Sequence, residues 1–427
     1  MKMIKYSETD ATAKGSRMER LIARDVYTDR IRGFIDKEPI KIITGVRRSG
    51  KSGILGLVRE EVMKSADEGH IISINFEDSE FDDIVSYKEL NRYVAGRMED
   101  GGRYYLFLDE IQDVRHWEKA VNSLRLKNTD IYVTGSNSRL LSGEMATLLA
   151  GRYVSFEVGT LSFEEFVRFR EGSGLSGEPG RYRYGLLDDY IRTGGFPMLS
   201  TVGFTEEQAR QVVSDIQSSI VLKDVVSRYK VKNAPLLRKI VSFIYDNVGS
   251  FVSIRKIADH LKSNGGGGDF DTVSRYVGYL EDAYAIKRVG KYDIRGRRLL
   301  DCNDKFYLAD HSLLYAVRDM KRANIPGILE NIVHNDLVRR GYTVYAGSIG
   351  TKEVDFVAER INSGEKVYVQ VCMEYGSAET MDREFSSLEA VRDHYPKYVV
   401  TTDTYWQENR NGVMGIHLND FLLKKSL

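Results

Sequence analysis

The chain has 427 residues, 42% of them hydrophobic, and its 62 basic side chains are balanced by 62 acidic ones. This length suits two or three domains, and the neutral balance excludes a global field that would draw the chain to nucleic acid or a membrane. The two distant cysteines, Cys302 and Cys372, exclude a disulfide framework. Because no apolar run approaches the roughly 20 residues of a membrane span, we expect no membrane insertion and a soluble, cytoplasmic protein.

The first predicted element is a buried strand, Pro39–Thr44, and a phosphate-binding loop follows it. GVRRSGKS (Gly45–Ser52) has the G-x-x-x-x-G-K-S spacing and leads into a helical apolar pattern. We expect Lys51 to reach the β- and γ-phosphates of a nucleotide and the Ser52 hydroxyl to bind Mg²⁺. The predicted nucleotide-binding residues are Gly45, Val46, Arg47, Arg48, Ser49, Gly50, Lys51, Ser52 and Gly53.

Arg47 and Arg48 occupy the variable positions of this loop. We interpret both as solvated charges at the loop tip, because charged side chains are mostly exposed. Contact with the nucleotide, a neighbouring domain or nucleic acid is the alternative.

A second buried strand is predicted in RYYLFLDEIQDV (Arg103–Val114), and it ends at two carboxylates. The carboxyl ends of such strands are where α/β sheets place their chemistry. We expect Asp109 to hold Mg²⁺ through water and Glu110 to polarise the water that attacks the terminal phosphate.

A third strand, in DIYVTGSNSRLL (Asp130–Leu141), ends in Ser136, Asn137 and Ser138. Asn137 is a candidate for sensing the γ-phosphate, and an ordinary turn after a strand is the alternative. HIISINFED (His70–Asp78) supplies a further strand. Strands that alternate with helical segments predict a mostly parallel, three-layer α/β sheet.

GVRRSGKS, LFLDE and VTGSNS, in this order, resemble the AAA-type P-loop ATPase domain of a large bacterial and archaeal family, in which a C-terminal region is fused to the ATPase. RTGGFPML (Arg192–Leu199) and EVDFV (Glu353–Val357) are also similar to family segments, so the resemblance covers nearly the whole chain. It implies ATP and Mg²⁺ as ligands. It also implies that the third strand lies between the other two, with Asn137 near the γ-phosphate. The chain has no N-K-x-D guanine-reading segment and no kinase catalytic loop, which favours ATP as the nucleotide.

Arg152, in LLAGRYVSFEVG, is a candidate arginine finger, acting in cis or in trans. A cation aimed at the transition state of phosphoryl transfer can raise the rate by ~10³–10⁵. Similar proteins carry a Gly-Arg pair at this point. A surface or packing arginine is the alternative.

The middle of the chain shows the element order of a winged helix. Three helical segments, Leu236–Gly249, Ser253–Asn264 and Asp271–Val289, precede a basic hairpin at Lys287–Leu300, and Ser253 and Asp271 are predicted N-caps. In a DNA-binding winged helix, the third helix enters the major groove and the hairpin contacts phosphates. The candidate nucleic-acid contacts are Arg275, Tyr276, Lys291, Arg295, Arg297 and Arg298. A protein-interaction or spacer role is the alternative.

The tail contains Glu330, Asp355 and Gln370 in an order similar to restriction-endonuclease-like folds of the PD-(D/E)XK type. Such sites hold Mg²⁺ and activate water. Cys372 stands where the lysine is expected, and a neutral thiol cannot stabilise developing negative charge; Lys352 or Lys366 could replace the lysine spatially. We therefore expect a nuclease-like fold that has lost catalysis and kept a binding or scaffolding role. A generic mixed α/β domain is the alternative.

The predicted organisation has four parts. They are a P-loop ATPase core with an N-terminal helix (1–170), a helical connector or lid (171–225), a winged-helix-like module (226–310) and a nuclease-like α/β domain (311–427). The predicted function is an ATPase whose hydrolysis rearranges C-terminal domains that bind nucleic acid or a partner protein, with oligomers possible. The alternatives are an ATP-regulated, metal-dependent nuclease and a slowly hydrolysing, nucleotide-gated interaction protein.

Overall fold

The fold is taken from a computed structural model of the chain, which describes residues 21–138, 148–175, 184–265, 267–317, 324–374, 377–403 and 409–427. Two β-sheets organise these residues, one in the first part of the chain and one in the last. Within the described ranges, no helix combines the length and the apolar character that a bilayer crossing requires.

The first sheet has five parallel strands in the order β2-β3-β4-β1-β5. They are β1 (Ile40–Thr44), β2 (Ile71–Asn75), β3 (Tyr104–Asp109), β4 (Thr129–Gly135) and β5 (Tyr153–Glu157). Every residue of β1 and β3 is buried, as expected for a parallel sheet covered on both faces. The predicted parallel α/β sheet is confirmed.

Helices cover both faces of this sheet and make it the middle of three layers. Successive strand residues point to opposite faces, so Ile43 packs with the helices Asp25–Arg32 and Lys51–Val62. Ile42 packs on the other face with the helices Tyr87–Ala95 and Trp117–Leu124. The carboxyl ends of the strands are therefore held rigidly at one edge.

A helical region follows β5 and ends in a π-helix. Its helices are Phe163–Gly172, Tyr184–Thr193, Pro197–Thr201 and Glu206–Ser219, and the π-helix is Ile220–Ser227. Ser162 and Thr205 each begin a helix with a capping box, in which the cap side chain and a Glu or Gln three residues on bond each other's backbone N–H. A π-helix is rare and is frequently found at functional sites.

Three further helices, Ala234–Asp246, Ile254–Ser263 and Phe270–Asp282, occupy the middle of the chain. Ser253 caps the second, as predicted. The predicted cap Asp271 is wrong, because the Asp269 carboxylate accepts the Thr272 N–H at 2.7 Å and starts the helix earlier. The third helix is also shorter than predicted, since Tyr284, at φ +56°, turns the chain out of the helix and into a strand.

The second sheet has eight strands in the order β12-β13-β11-β10-β9-β8-β6-β7. They are β6 (Ile286–Asp293), β7 (Arg298–Leu308), β8 (Thr343–Ile349), β9 (Lys352–Arg360), β10 (Glu365–Cys372), β11 (Lys397–Thr401), β12 (Asn409–Arg410) and β13 (Val413–His417). The basic hairpin is present as antiparallel β6 and β7, and β6 also pairs in parallel with β8. The hairpin thus belongs to the sheet of the tail, which extends across position 310; the four domain boundaries themselves stay a prediction.

The helix Ile325–Arg339 packs on one face of this sheet, and the helix Ala378–Glu389 packs on the other. The short helix Leu418–Leu423 ends the chain's regular structure. One continuous hydrophobic cluster extends from Val46 in the phosphate-binding loop, through the helical region, to Leu422. The phosphate-binding loop and the tail are therefore connected by an unbroken series of packed apolar side chains.

Candidate nucleotide-binding site

The phosphate-binding loop depends on two glycines. Gly45 has φ +142°, and a Cβ there would lie 2.1 Å from the Val158 carbonyl oxygen, so no side chain fits. Gly50 has φ +92° and caps the helix that begins at Lys51. A strand, a glycine-containing turn and a helix N-terminus in succession form an anion-binding arrangement of backbone N–H groups.

Lys51 is 4% exposed and lies inside this loop. Its ammonium donates to the carbonyl oxygens of Gly45 and Val46 at 3.3 and 3.2 Å and lies 3.8 Å from the Glu110 carboxylate. Burial lowers the pKa of Lys51, and the nearby carboxylates of Glu110 and Asp109 oppose that shift. The loop and the carboxylates of β3 thus meet at one buried cation.

Thr134, on β4, holds both carboxylate residues of β3 in place. Its hydroxyl bonds the Asp109 carboxylate and accepts the Glu110 backbone N–H at 2.9 Å. Burial raises the pKa of Asp109, despite hydrogen bonds from Thr134 and Ser52. Asp109 therefore contacts Ser52, its predicted partner in holding Mg²⁺. The sequence analysis missed Thr134, although a hydroxyl just before Gly135 in an apolar strand was a usable signal.

Asn137 follows β4 and is fully buried. The strand order places β4 between β1 and β3, as the family resemblance implied. Asn137 thus lies at the sheet edge between the phosphate-binding loop and the Asp109–Glu110 pair. Its sensing role stays a prediction.

Arg47 is not a solvated charge at a loop tip, so that interpretation was wrong. Its guanidinium makes a bidentate ion pair with Asp224 in the π-helix, at 2.9 and 3.0 Å. Asp224 is completely buried and also accepts the Ser136 hydroxyl at 3.3 Å. A lone acid inside the apolar run IVLKDVVS was the sequence signal for such a contact. Arg48, in contrast, is exposed.

A second link joins the end of β4 to the middle helices. The Ser138 hydroxyl donates to Asp282 at 2.8 Å, and the Tyr229 hydroxyl donates to the other oxygen of the same carboxylate at 2.6 Å. Two buried or half-buried aspartates, Asp224 and Asp282, therefore connect the nucleotide-site loops to residues far along the chain.

The loop is also braced from behind by Arg24, which the sequence analysis did not identify. Arg24 is 2% exposed, and its guanidinium donates to the Ser49 carbonyl at 2.8 Å and pairs with both oxygens of Glu165. Burial alone would raise the pKa of Glu165, but Arg24 outweighs it and holds that pKa below its usual value. Pro197, in RTGGFPML, lies where a Cβ on Gly50 would contact it at 3.2 Å.

Arg152 lies at the wrong edge of the sheet for a finger in cis. Its carbonyl accepts the Ile40 N–H, and Tyr153 pairs with Ile40 at the start of β1, whereas the phosphate-binding loop follows the end of β1. A strand of this length separates the two edges by about 15 Å. The guanidinium bonds Asn122 and the Leu148 carbonyl instead. Action in cis is thus excluded, and action in trans stays a prediction.

One of the predicted nucleic-acid contacts is not on the surface. Tyr276 is wrong as an exposed contact, because it is 6% exposed and packs in the core with Val273, Val277 and Leu280 at helical spacing. Arg275 is exposed on the same helix. The remaining four residues, Lys291, Arg295, Arg297 and Arg298, lie on the hairpin, and the three arginines are exposed there.

In the tail, Glu330 and Asp355 come together around a lysine that the sequence analysis did not identify. The Lys305 ammonium, on β7, lies 3.2 Å from Glu330, 3.5 Å from Asp355 and 2.5 Å from Glu353, and its side chain is 2% exposed. The suggested substitutes are wrong, since Lys366 pairs with Glu359 and Lys352 donates to the Ser386 carbonyl.

Gln370 is held beside this cluster by two neighbours. It accepts the Asp355 N–H at 3.2 Å and donates to Glu384 at 2.9 Å. Burial, reinforced by Asp355, raises the pKa of Glu330 to about 8, and burial raises the pKa of Asp355 to about 6. Among the residues described, no three His, Cys, Asp or Glu side chains are arranged to hold a metal ion. The acids here serve as partners of Lys305.

Comparison with known proteins identifies the N-terminal part of the chain, which contains the phosphate-binding loop. Residues 37–167 match the family described as AAA domain, and residues 184–324 match domain of unknown function DUF8612. A Walker-type ATPase of Pyrococcus abyssi has a similar fold, with a TM-score of 0.51 at 15% identity over 71% of this chain and 97% of that one.

Two relatives match along most of their length. An uncharacterized protein of Haemophilus influenzae is 37% identical over 95% of this chain and 99% of its own length. An uncharacterized protein of Methanocaldococcus jannaschii is 30% identical over 83% of this chain and 79% of its own. The chain therefore belongs to a family of AAA-type P-loop proteins with bacterial and archaeal members.

Proposed function

We propose that this protein binds and hydrolyses ATP with Mg²⁺, and that the nucleotide controls the arrangement of its C-terminal domains. One observation carries the first half of the proposal. The Lys51 ammonium, the Ser52–Asp109 contact and the Glu110 carboxylate lie together at the carboxyl edge of the sheet. Phosphoryl transfer needs positioning and charge neutralisation more than covalent help, and these groups supply both.

The residues present fit a magnesium–triphosphate substrate. Gly45 and Gly50 both have positive φ, which lets the loop turn its backbone N–H groups inward towards phosphate oxygens. The Ser52 hydroxyl and the Asp109 carboxylate are the oxygen donors that Mg²⁺ prefers. Bound Mg²⁺ would neutralise charge on the phosphates. The Glu110 carboxylate, fixed through Thr134, would then orient a water for in-line attack.

Two substitutions test this assignment. Lys51→Ala should abolish ATP binding in calorimetry, because it removes the buried cation of the loop. Glu110→Gln should keep ATP binding and lose turnover, since the amide keeps the shape but cannot accept a proton from water. Lys64→Ala, an exposed lysine just past the same helix, is the matched control and should behave as wild type. Equal turnover by wild type and Glu110→Gln would refute hydrolysis at this site.

The second half of the proposal rests on the two aspartates that reach the site from the rest of the chain. Asp224 bonds Arg47 in the loop and Ser136 after β4, and Asp282 bonds Ser138. A triphosphate in the loop would compete for the Arg47 guanidinium and would shift Ser136 and Ser138. Nucleotide state would thereby reach the π-helix and the helix Phe270–Asp282 through a short chain of contacts. The C-terminal domains that this switch rearranges are proposed to bind nucleic acid or a partner protein. Oligomers remain part of the proposal.

Hydrogen exchange on wild type with ATP, with ADP and without nucleotide tests the coupling. Protection around Ile220–Ser227 and Phe270–Asp282 should differ between the nucleotide states. Identical protection in all three nucleotide states would contradict the proposed switch but would not count against ATP hydrolysis.

A second candidate, an ATP-regulated nuclease, has one observation in its favour. Lys305 occupies the space beside Glu330 and Asp355 where the nuclease pattern requires a lysine. However, its ammonium already contacts both carboxyl groups, so a metal would have to displace it. Cleavage of DNA or RNA with Mg²⁺ or Mn²⁺ that vanishes in Asp355→Ala would establish the nuclease. If DNA and RNA stay intact with both metals, the nuclease candidate is wrong.

The third candidate is a nucleotide-gated interaction protein that hydrolyses slowly. The several direct bonds that hold the phosphate-binding loop, through Arg24 and Arg47, suit a loop that keeps its nucleotide for long periods. Tightly co-purified nucleotide with negligible turnover would favour this candidate over the switch.

A further inference from the structure

The second sheet carries a cleft that neither the nucleotide site nor the Lys305 cluster includes. It has a volume of about 840 Å³ and lies between the turn of the β6–β7 hairpin and the segment that precedes β11. Its lining includes Arg295 and Arg297 from the hairpin and Arg392 from that segment. The fold thus brings together cations that lie almost one hundred positions apart in the sequence.

The cleft is positively charged, and its arginines are accessible to an anionic ligand. Arg295, Arg297 and Arg392 are exposed, and none of them makes an ion pair with another residue in the described ranges. Asp393, the acidic residue in the cleft lining, is already hydrogen-bonded to other residues. It accepts hydrogen bonds from the Tyr368 hydroxyl at 2.6 Å and from the Lys397 ammonium. Since the chain as a whole is neutral, three unpaired arginines around one concavity are a local anion-binding feature. The planar guanidinium fork matches phosphate oxygens.

An aromatic pair at the same cleft indicates which class of anion it binds. The His394 and Tyr395 rings stack on each other, with centroids 4.5 Å apart and planes inclined by 29°, and the His394 ring is exposed. Proteins that bind single-stranded nucleic acid combine a basic groove with exposed rings on which bases stack. A duplex keeps its bases stacked inside, and its major groove is read by a projecting helix or ribbon rather than by a cleft.

We propose that this cleft, formed by Arg295, Arg297, Arg392 and His394, binds a single-stranded nucleic acid, with the arginines on phosphates and the His394 ring on a base. The hairpin arginines then act together with Arg392, not with the helix Phe270–Asp282 as in a winged helix. Binding here does not require ATP turnover, so this inference stands apart from the proposed ATPase.

Fluorescence anisotropy on the full chain tests the proposal, with labelled oligo-dT and oligo-rU of about 16 nucleotides and a duplex of the same length as probes. The triple variant Arg295→Gln, Arg297→Gln, Arg392→Gln should bind the single strands far more weakly than wild type. Its salt dependence should be shallower by about 2 in the slope of log affinity against log salt, because each phosphate contact contributes about 0.7. Comparison of the dT and rU probes separates DNA from RNA.

A matched control removes the same charge elsewhere. Lys88→Gln, Arg92→Gln, Lys127→Gln changes three exposed cations of the first sheet's domain and should bind as wild type. His394→Ala should weaken oligonucleotide binding but not binding of inorganic polyphosphate, which has no bases. Equal affinity of wild type and the arginine triple variant would overturn the proposal. A preference for the duplex, or equal binding of an acidic peptide, would overturn it as well.

Discussion

The Asp224 carboxylate holds the Arg47 guanidinium by two hydrogen bonds, at 2.9 and 3.0 Å, across 177 positions of sequence. Arg47 belongs to the phosphate-binding loop and Asp224 to the π-helix, so this pair connects the nucleotide site to the helical region. The hydrogen bond and charge of Asp224 raise the pKa of Arg47, although burial opposes this. The Arg47 guanidinium therefore stays charged at any physiological pH.

We predict that Asp224→Asn lowers the free energy of unfolding by about 1–3 kcal/mol, because a hydrogen-bonded charge is lost in a buried place. ATP should still bind, and the ATP-dependent change in hydrogen exchange at Ile220–Ser227 should disappear. Urea unfolding and exchange with and without ATP measure the two effects. Glu77→Gln is the control, since Glu77 faces Arg47 at 3.6 Å but is half-exposed and should contribute less than about 1 kcal/mol. An ATP response that survives in Asp224→Asn would contradict the coupling.

Thr134→Val should slow ATP hydrolysis by ~10–100-fold while ATP binding persists. The valine has the same shape but lacks the hydroxyl that bonds Asp109 and receives the Glu110 N–H, and loss of such supporting partners typically has this effect. Steady-state turnover and calorimetry separate rate from binding. Thr134→Ser should restore most of the rate, whereas a serine variant as slow as the valine variant would show that packing, not the hydroxyl, matters.

Lys305→Met should destabilise the protein by about 3–5 kcal/mol, because it leaves buried carboxylates without their cation. Chemical denaturation at mildly alkaline pH is the measurement. Lys352→Met removes an exposed lysine on β9 and should change stability by less than about 0.5 kcal/mol. If the two variants unfold alike, Lys305 does not neutralise the cluster.

The raised pKa of Glu330 predicts a pH dependence of stability. Burial and the Asp355 charge raise this pKa from 4.5 to about 8, so folding favours the protonated acid. The resulting stability is fully present below the unfolded pKa of about 4.5 and is lost as pH rises through about 8. Glu330→Gln, which is always neutral, should flatten the fall in stability over this window.

Denaturation midpoints at several pH values across that window test the point. Glu353→Gln is the matched control, because this half-exposed carboxylate contacts the same Lys305 ammonium. It should keep the wild-type pH dependence. A wild-type profile that does not fall between these limits would contradict the assignment.

The nucleotide site was predictable because its chemistry is contiguous in sequence. Gly45–Ser52 and Asp109–Glu110 each form one unbroken stretch at the end of an apolar strand, and backbone geometry alone brings such strand ends to one edge of a parallel sheet. The parallel order with β4 between β1 and β3 came from the family resemblance, and the structure agrees.

The residues that connect this site to the rest of the chain were not predictable from local pattern. Arg24 and Asp224 act through partners 25 to 177 positions away, and no periodicity encodes such distances. The same holds for Lys305 in the tail, whose partner Glu330 is 25 positions away. The error at Tyr276 was avoidable, since Val273, Tyr276, Val277 and Leu280 follow the spacing of one buried helix face. The sequence left open whether Arg152 acts in cis or in trans, because a motif gives no information on which edge of a sheet a residue occupies.

The parallel pairing of β6 with β8 has a consequence for how the chain can be divided. Cutting after Leu308 would strip β6 of its neighbour and expose a raw strand edge, which invites self-association. We therefore expect the hairpin and the tail to fold well only when they are expressed together. Under the proposed switch, ATP would move the hairpin and the tail as one unit.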